Sequence, residues 1–218
     1  LTGAKITRKG ESSLVINTDK IKFATFPTEL TEKLRASVLL LGPMLARVGK
    51  IKMGYPGGDL IGRRPLDTHI QGLSALGAKV EKEDDYYIGS VNKLKGKEIF
   101  LSQASVTATE NAIMAAVLAQ GDTVIKRAAS EPHVTDLCLF LIKMGARIFG
   151  VGSNVLTIKG VAKLSPTVHS IAPDHIEVGT FAILGAVTKG TLEISPVVKG
   201  DLDMILYVLS SFGVFYKL

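Results

Sequence analysis

The amino-acid sequence predicts an α/β protein built from repeated units of strand, helix, strand, helix, strand and strand. The first observation behind this prediction is that glycines closing apolar, helix-like segments recur at a period of roughly 70 residues. The second is that the segments between those glycines follow the same pattern in each unit. The glycines form two series, Gly77, Gly145 and Gly213, and Gly49, Gly121 and Gly190.

Three long apolar segments, at 31–48, 108–120 and 174–189, are predicted to be the first helix of each unit. Each ends at or beside a glycine, which helix C-termini favour because glycine adopts the left-handed conformation without strain. A second, amphipathic helix follows, with apolar residues at spacings of three and four. These residues are Leu137, Phe140, Leu141 and Met144 in one unit and Leu202, Ile205, Leu206 and Leu209 in the next.

Strands are predicted between and after these helices. The short apolar segments 50–55, 122–128 and 190–195 each lie between the first and the second helix of a unit. Two further segments, 78–91 and 146–158, each contain two strand-like runs separated by turn-forming residues. Each complete unit therefore ends in a hairpin.

Composition and charge exclude several classes of protein. The net charge is +6, but the 26 lysines and arginines are scattered and only 6% of residues are aromatic. A nucleic-acid groove needs a basic stripe with stacking rings, so we expect no nucleic-acid partner. The longest apolar run is broken by Pro43 and Arg47 and is too short for a bilayer. The single Cys138 is predicted to be a small buried hydrophobe.

The ends of the chain carry two further expectations. The sequence does not open with a charged and then apolar leader, so we expect a cytoplasmic location. It begins at the tail of one unit and stops inside another. We therefore expect an excerpt of a longer protein, whose function requires residues outside this chain.

The segment Tyr55–Asp67 departs from the repeat. It gives the first unit four or five more residues than the others, and it contains three glycines, Asp59, Arg63 and Arg64. Glycine lets backbone amides approach an anion closely, and paired guanidinium groups suit a phosphate or a carboxylate. Pro65 is expected in the first turn of the following helix. The spacing does not match a Walker loop, so the sequence predicts an anion-binding loop of another kind.

The segments 34–49, 55–80, 105–148 and 171–186 together resemble the UDP-N-acetylglucosamine 1-carboxyvinyltransferase family of enolpyruvyl transferases. The resemblance extends over essentially the whole chain. It implies an inside-out α/β barrel of two domains, each with three units. Residues 1–172 would then form most of the first domain, and residues 173–218 the beginning of the second.

The resemblance also implies an activity. The family transfers the enolpyruvyl group of phosphoenolpyruvate to the 3-hydroxyl of UDP-N-acetylglucosamine and releases phosphate, in the first committed step of peptidoglycan synthesis. The implied partners are these two substrates and the remainder of the second domain. We expect neither a metal nor a cofactor. Other site residues of the family lie outside this chain, so the chain alone is expected to be inactive.

Site residues follow by position within the matching motifs. Asp59 stands where the family usually has the loop cysteine that protonates the methylene carbon of phosphoenolpyruvate. Arg64 matches an arginine that contacts substrate phosphate, and Arg35 matches a further substrate-binding arginine. Two segments match those that hold the nucleotide sugar and the uridine diphosphate. They are Arg64, Pro65, Leu66, Asp67 and Thr68, and Gln103, Ala104, Ser105 and Val106.

Departures from the family pattern shape further expectations. A carboxylic acid at Asp59 can donate a proton but cannot form the thioether made by fosfomycin, so we expect insensitivity to that epoxide. Loop closure would have to desolvate Asp59 for it to act as a general acid. Gln103 replaces a lysine, which removes a positive charge from the diphosphate site, and Thr107 replaces a glycine. His133 and His175 are expected to be non-catalytic.

Two alternatives remain open at this point. One is the related shikimate-pathway enolpyruvyl transferase, which shares the fold and phosphoenolpyruvate, although the loop segment resembles the cell-wall enzyme. The other is a non-catalytic nucleotide-sugar-binding domain. Gln103 and the incomplete end units favour that second alternative.

Overall fold

The computed structural model describes residues 1–59, 61–62 and 64–218. The expected contribution of Arg63 to the loop therefore lies outside the described residues, as does Leu60. A two-stranded antiparallel hairpin, β1 (Lys5–Lys9) and β2 (Ser13–Asn17), opens the chain. Two four-stranded sheets and their helices follow it.

The first complete unit runs from 25 to 90. Its elements are β3 (Thr25–Phe26), α1 (Thr28–Thr31), a 3₁₀-helix (Arg35–Leu40), α2 (Leu41–Val48), β4 (Lys50–Gly54), α3 (Asp67–Ala75), β5 (Lys79–Glu83) and β6 (Tyr86–Ser90). The second unit runs from 98 to 159. Its elements are β7 (Glu98–Phe100), α4 (Val106–Ala116), β8 (Asp122–Lys126), α5 (Pro132–Lys143), β9 (Arg147–Phe149) and β10 (Val155–Lys159). Beyond it lie α6 (His175–Val187), a 3₁₀-helix (Lys199–Leu202) and α7 (Asp203–Ser211).

Both units have the same topology. The strand orders are β3-β4-β6-β5 in the first sheet and β7-β8-β10-β9 in the second. In each sheet the first pair is parallel and the other two pairs are antiparallel. The predicted α/β class and the predicted order of elements are confirmed by these two sheets.

In the two complete units, helices α2, α3 and α4 lie inside and the sheets lie outside. Helix α4 packs against α2 and α3, and eight of its residues are buried. Strand β4 alternates, with Ile51 and Met53 buried against the helices. Most of the edge strand β5 is exposed. This arrangement is the one expected of an inside-out barrel.

The single helix predicted over 31–48 is wrong. The chain leaves α1 at Glu32 and is extended at Leu34, then forms the 3₁₀-helix and α2. Pro43 helps to set this start, because its missing N–H is harmless in the first turn of a helix and disruptive further along. The helices predicted over 108–120 and 174–189 form with slightly different ends, as α4 and α6.

The strand predicted over 190–195 is also wrong. This segment has no regular secondary structure, and most of it is exposed. A strand exists only through hydrogen bonds to a neighbouring strand, and none in the described part of the chain pairs with it. The domain boundary between 172 and 173 stays a prediction.

Cys138 is 1% exposed, which confirms the predicted buried hydrophobe. Burial, together with the nearby Glu110, raises the pKa of its thiol to about 11. Among the described residues, no helix is both long and apolar enough to cross a membrane.

Candidate active-site loop and the segment beside it

The connection between β4 and α3 is longer than its equivalent in the second unit. It comprises the twelve residues 55–66, whereas the equivalent connection between β8 and α5 comprises the five residues 127–131. The predicted excess is present, and its seven residues exceed the four or five predicted because α3 is three residues shorter than α5. We call residues 55–66 the active-site loop, after the role that the resemblance implies for them.

The active-site loop is seated on the break between α1 and the 3₁₀-helix. The backbone amide of Gly57 donates to the carbonyl of Thr31 at 3.0 Å, and that of Gly58 donates to the carbonyl of Glu32 at 3.1 Å. A Cβ on Gly57 would collide with the Glu32 carbonyl oxygen, and Gly58 has φ of 101°. Only glycine meets both demands without strain. The helix break thus provides two carbonyl acceptors for the loop.

Arg35 holds both ends of the active-site loop. Its Nη1 donates to the carbonyl of Pro56 at 3.3 Å and its Nη2 donates to the carbonyl of Arg64 at 2.9 Å. Partial burial, and then the positive charge of Arg64, lower the pKa of Arg35 from its ordinary value. Two cationic side chains in one neighbourhood repel each other unless an anion lies between them. The structure therefore brings Arg35 and Arg64 into one neighbourhood.

Asp59 lies at the exposed part of the active-site loop. Its own carbonyl accepts a hydrogen bond from the amide of Ile61 at 3.0 Å. Its carboxylate has no hydrogen-bond or ion-pair partner among residues 1–59, 61–62 and 64–218. The side chain faces solvent in this conformation, so the loop would have to move for Asp59 to be desolvated.

The predicted nucleotide-sugar segment, residues 64–68, leads into α3. Leu66 is buried and precedes the first helical residue, Asp67, which is exposed. The expectation that Pro65 lies in the first turn is wrong, because α3 begins two residues later, after Leu66 at φ −100° and ψ 10°. A carboxylate at Asp67 favours that start, since it complements the positive end of the helix dipole.

Ser102 connects this segment to the predicted diphosphate segment. Its hydroxyl lies 3.1 Å from the Thr68 hydroxyl, and its amide donates to Gln71 Oε1 at 2.9 Å. The Arg127 guanidinium donates to its carbonyl oxygen. Helix α3 and the connection that follows β8 thus converge on one residue. Sequence reasoning missed Gln71 and Arg127, because non-local contacts of this kind leave no signal in a single sequence.

The segment that follows Ser102 begins α4. The hydroxyl of Ser105 accepts from the amide of Ala108 at 3.4 Å and caps the helix. Gln103 and Ala104 are exposed, and Val106 is half-buried. The contacts of Ser102 therefore bring the beginning of α3 close to the segment 103–106.

A buried polar network supports the two segments from behind. Asn111 accepts from the amide of Gly42 at 2.7 Å, donates to the carbonyl of Val38 at 2.9 Å, and lies 2.9 Å from Nδ1 of His69. Burial, with the charge of Arg35 as the smaller cause, lowers the pKa of His69 to about 4. The neutral ring accepts from Asn111 at Nδ1, so its Nε2–H donates to the hydroxyl of Thr107 at 3.2 Å.

Aromatic side chains fix the base of the active-site loop. Tyr55 and Tyr87 meet edge to face with ring centroids 5.0 Å apart. The ammonium of Lys82 lies 5.0 Å from the centroid of the Tyr55 ring. Burial, followed by the hydrogen bond with Tyr55, raises the pKa of Tyr87 to about 12. Both phenols are therefore anchored beside strand β4.

His133 and His175 lie away from the loop. Their rings stack with centroids 5.8 Å apart, and both line a cavity of about 350 Å³ between α5 and α6. Their non-catalytic character stays a prediction. Within the described ranges, no three His, Cys, Asp or Glu side chains form a group that could hold a metal ion.

The sequence profile of the EPSP synthase (3-phosphoshikimate 1-carboxyvinyltransferase) family matches residues 2–216. The chain belongs to this EPSP synthase family. Two solved structures are similar in fold. The enolpyruvyl transferase NikO from Streptomyces tendae is 20% identical with a TM-score of 0.72, and the match covers 97% of this chain and 50% of that one. EPSP synthase from Acinetobacter baumannii is 21% identical with a TM-score of 0.66, over 97% and 49%. These two structures confirm the fold.

Curated relatives are much more similar in sequence. UDP-N-acetylglucosamine 1-carboxyvinyltransferase of Treponema denticola is 52% identical over 200 residues, which are 92% of this chain and 47% of that protein. The protein of the same name from Borreliella burgdorferi is 51% identical over 215 residues, 99% of this chain and 50% of that protein. The resemblance stated from the motifs is confirmed. The chain spans about half the length of these curated relatives.

Proposed function

We propose that this chain is part of an enzyme that transfers the enolpyruvyl group of phosphoenolpyruvate to the 3-hydroxyl of UDP-N-acetylglucosamine. The observation that carries the proposal is the 52% identity to a relative named for that reaction. The geometry supports it, because Arg35, the active-site loop and the segments 64–68 and 103–106 lie in one region. The product would enter peptidoglycan synthesis, and the enzyme would act in the cytoplasm.

Asp59 is the proposed general acid. Its carboxyl proton passes to the methylene carbon of phosphoenolpyruvate, the 3-hydroxyl oxygen of the sugar bonds to the neighbouring carbon, and the hydroxyl proton passes to a base that the remainder of the second domain would supply. A base then removes a proton from the new methyl group, the bond between the neighbouring carbon and the phosphate oxygen breaks, and the double bond is restored as inorganic phosphate leaves. Because Asp59 is exposed here, this role requires the active-site loop to close over bound substrates and exclude water.

Arg35 and Arg64 are the proposed phosphate ligands. Both carry a guanidinium, whose planar set of N–H donors matches phosphate oxygens. Arg35 already donates two hydrogen bonds to the loop backbone. Its position and the loop conformation therefore depend on each other. Pro65, Leu66, Asp67 and Thr68 would hold the nucleotide sugar, and Gln103, Ala104, Ser105 and Val106 would hold its diphosphate.

The proposed domain organisation gives residues 1–172 to a first domain and residues 173–218 to a second. The enzyme would need the remainder of that second domain to complete the active site. We expect this chain alone to be inactive. A shikimate-pathway activity is the second candidate, and the name of the matching family profile is the observation in its favour. The higher identity to the cell-wall relatives outweighs it.

The test is phosphate release from phosphoenolpyruvate by the complete gene product, with this chain assayed beside it. We expect release with UDP-N-acetylglucosamine as acceptor and none with shikimate 3-phosphate. Asp59→Asn keeps the size of the side chain and removes its acidic proton, so it should abolish release while leaving substrate binding intact. Release with shikimate 3-phosphate alone would favour the second candidate. Binding of UDP-N-acetylglucosamine without any release would indicate a non-catalytic domain.

A further inference from the structure

Arg127 has an unusual backbone conformation. Its φ is 60°, in the left-handed region that residues other than glycine, asparagine and aspartate rarely occupy. The residues after it hold it there. The amide of Ala128 donates to the carbonyl of Asn154 at 2.9 Å, and the amide of Ala129 donates to the hydroxyl of Thr109 at 3.0 Å. Strain that the surrounding structure enforces in this way often marks a functional position.

The Arg127 side chain contacts the residue that precedes the proposed diphosphate segment. Its Nη1 donates to the carbonyl oxygen of Ser102, and that carbonyl carbon is bonded to the amide nitrogen of Gln103. The guanidinium therefore lies within one peptide unit of the proposed diphosphate segment. Ser102 is held in turn by Gln71 and Thr68. These contacts fix the position of the Arg127 guanidinium relative to the segment 103–106.

The charge of Arg127 is not neutralised. The side chain is exposed, and among the described residues no carboxylate lies within ion-pair distance of it. The preceding Lys126 differs, since its ammonium is 2.8 Å from the Glu98 carboxylate. The one hydrogen bond made by Arg127 uses one of its five N–H donors. The rest can bind an anion beside Gln103, which is uncharged.

We propose that Arg127 binds the diphosphate of the nucleotide sugar and supplies the positive charge that Gln103 lacks. This inference rests on the proposed function, because it assigns Arg127 to the same substrate. It names a specificity residue that the loop motif does not contain. With this backbone conformation, the guanidinium of Arg127 lies near the N-terminal end of α4, where Gln103 and Ala104 are exposed.

The test measures calorimetric binding of UDP and of uridine to the complete gene product and to Arg127→Asn. Asparagine tolerates the left-handed conformation, so this variant removes the charge while keeping the backbone. Loss of a hydrogen bond to a charged group should weaken UDP binding about 10- to 100-fold. Uridine, which has no phosphate, should bind Arg127→Asn as it binds the unmodified protein. Equal weakening of both ligands would overturn the proposal in favour of a structural role.

A second variant distinguishes the effect of the lost positive charge from a structural effect of replacing Arg127. Adding Gln103→Lys to Arg127→Asn returns a cation to the neighbouring position and should recover most of the UDP affinity. Failure of this double variant to recover would contradict the proposal, provided its melting temperature matches that of the unmodified protein. If Arg127→Asn binds UDP normally, the inference fails and the proposed function stands. If the unmodified protein binds neither UDP nor UDP-N-acetylglucosamine, the proposed function fails and the inference fails with it.

Discussion

The Nη2 group of Arg35 donates a hydrogen bond of 2.9 Å to the backbone carbonyl of Arg64, 29 residues further along the chain. The same guanidinium reaches Pro56 near the other end of the active-site loop. One side chain therefore ties together the two ends of a twelve-residue connection. Because the bonds go to backbone carbonyls, the tie is independent of which side chains the loop carries.

Arg35→Ala should loosen the active-site loop. Loss of hydrogen bonds from a charged donor to two carbonyls should raise loop opening about tenfold. Hydrogen exchange at the amides of Gly57 and Gly58, with proteolytic cleavage within 55–66, measures the change. Arg47→Ala is the matched control, since Arg47 also bonds backbone and hydroxyl oxygens, of Thr18, away from the loop. Equal exchange in both variants would show that Arg35 does not hold the loop.

Gly57→Ala should displace the active-site loop from its seat. The added methyl would collide with the Glu32 carbonyl, so either the loop or α1 must shift, at a cost of about 2 kcal/mol. We expect a lower melting temperature and faster exchange at the Gly58 amide. Gly200→Ala, where nothing lies within 4 Å of the added carbon, is the control and should leave both measurements nearly unchanged. An unaltered Gly57→Ala protein would contradict the described seating.

Asn111→Ala should be strongly destabilising. It would leave the amide of Gly42 and the carbonyl of Val38 buried without their partner, at a cost of about 3 kcal/mol. Chemical denaturation measures the loss. Asn92→Ala, at an exposed position, should change the free energy of unfolding by less than about 0.5 kcal/mol. A similar small change for Asn111→Ala would mean that the network contributes little.

Glu110→Gln should alter how stability depends on pH. Burial, with the charge of Glu131 as the smaller cause, raises the pKa of Glu110 to about 7, above the value of an unfolded chain. The protonated Glu110 therefore contributes its full share to the free energy of unfolding below about pH 4.5. As the pH rises through 7 that contribution is lost, and the protein becomes less stable by about 3 kcal/mol. The variant lacks this loss, so its free energy of unfolding relative to that of the unmodified protein should increase by about 3 kcal/mol between pH 4 and pH 8.

Denaturation curves at several pH values test this, with the exposed Glu11→Gln as control. The lowered pKa of His69, about 4, has the opposite effect. Stability from the neutral ring is complete above the unfolded value of 6.5 and is lost as the pH falls through 4. With the effect of Glu110 removed, the free energy of unfolding of Glu110→Gln should rise with pH between about 4 and 6.5. Parallel curves for both proteins would contradict the assignment to Glu110.

Asp59→Cys should change the response to fosfomycin. Under the proposed function, a thiol at this position can form the thioether that a carboxylate cannot, so the variant should become sensitive while the unmodified enzyme stays insensitive. Phosphate release after incubation with the epoxide, together with the mass of the protein, measures the adduct. An adduct on Cys138 instead is not expected, because that thiol is buried and its pKa is raised to about 11. Inhibition of the unmodified enzyme would contradict the prediction.

The repeat and its interruption could be predicted because both are local patterns. Glycine spacing and apolar periodicity depend on each segment alone, and the structure reproduces them in two sheets of identical order. The break at Glu32 could not be predicted, because the acceptors it frees bind Gly57 and Gly58, more than twenty residues away. Arg127 was missed for the same reason, since neither its φ nor its contact with Ser102 is encoded in neighbouring residues.

The identical order of the two sheets has a consequence for how the protein can evolve. A duplicated unit offers selection two copies of one strand-to-helix connection, and mutation can lengthen one while the other stays short. The core is insulated from such change, since β4 and β8 keep the same inward-facing positions in both copies. The exposed Ser130, in the short connection, is accordingly where a protein engineer could graft a second binding loop onto this scaffold.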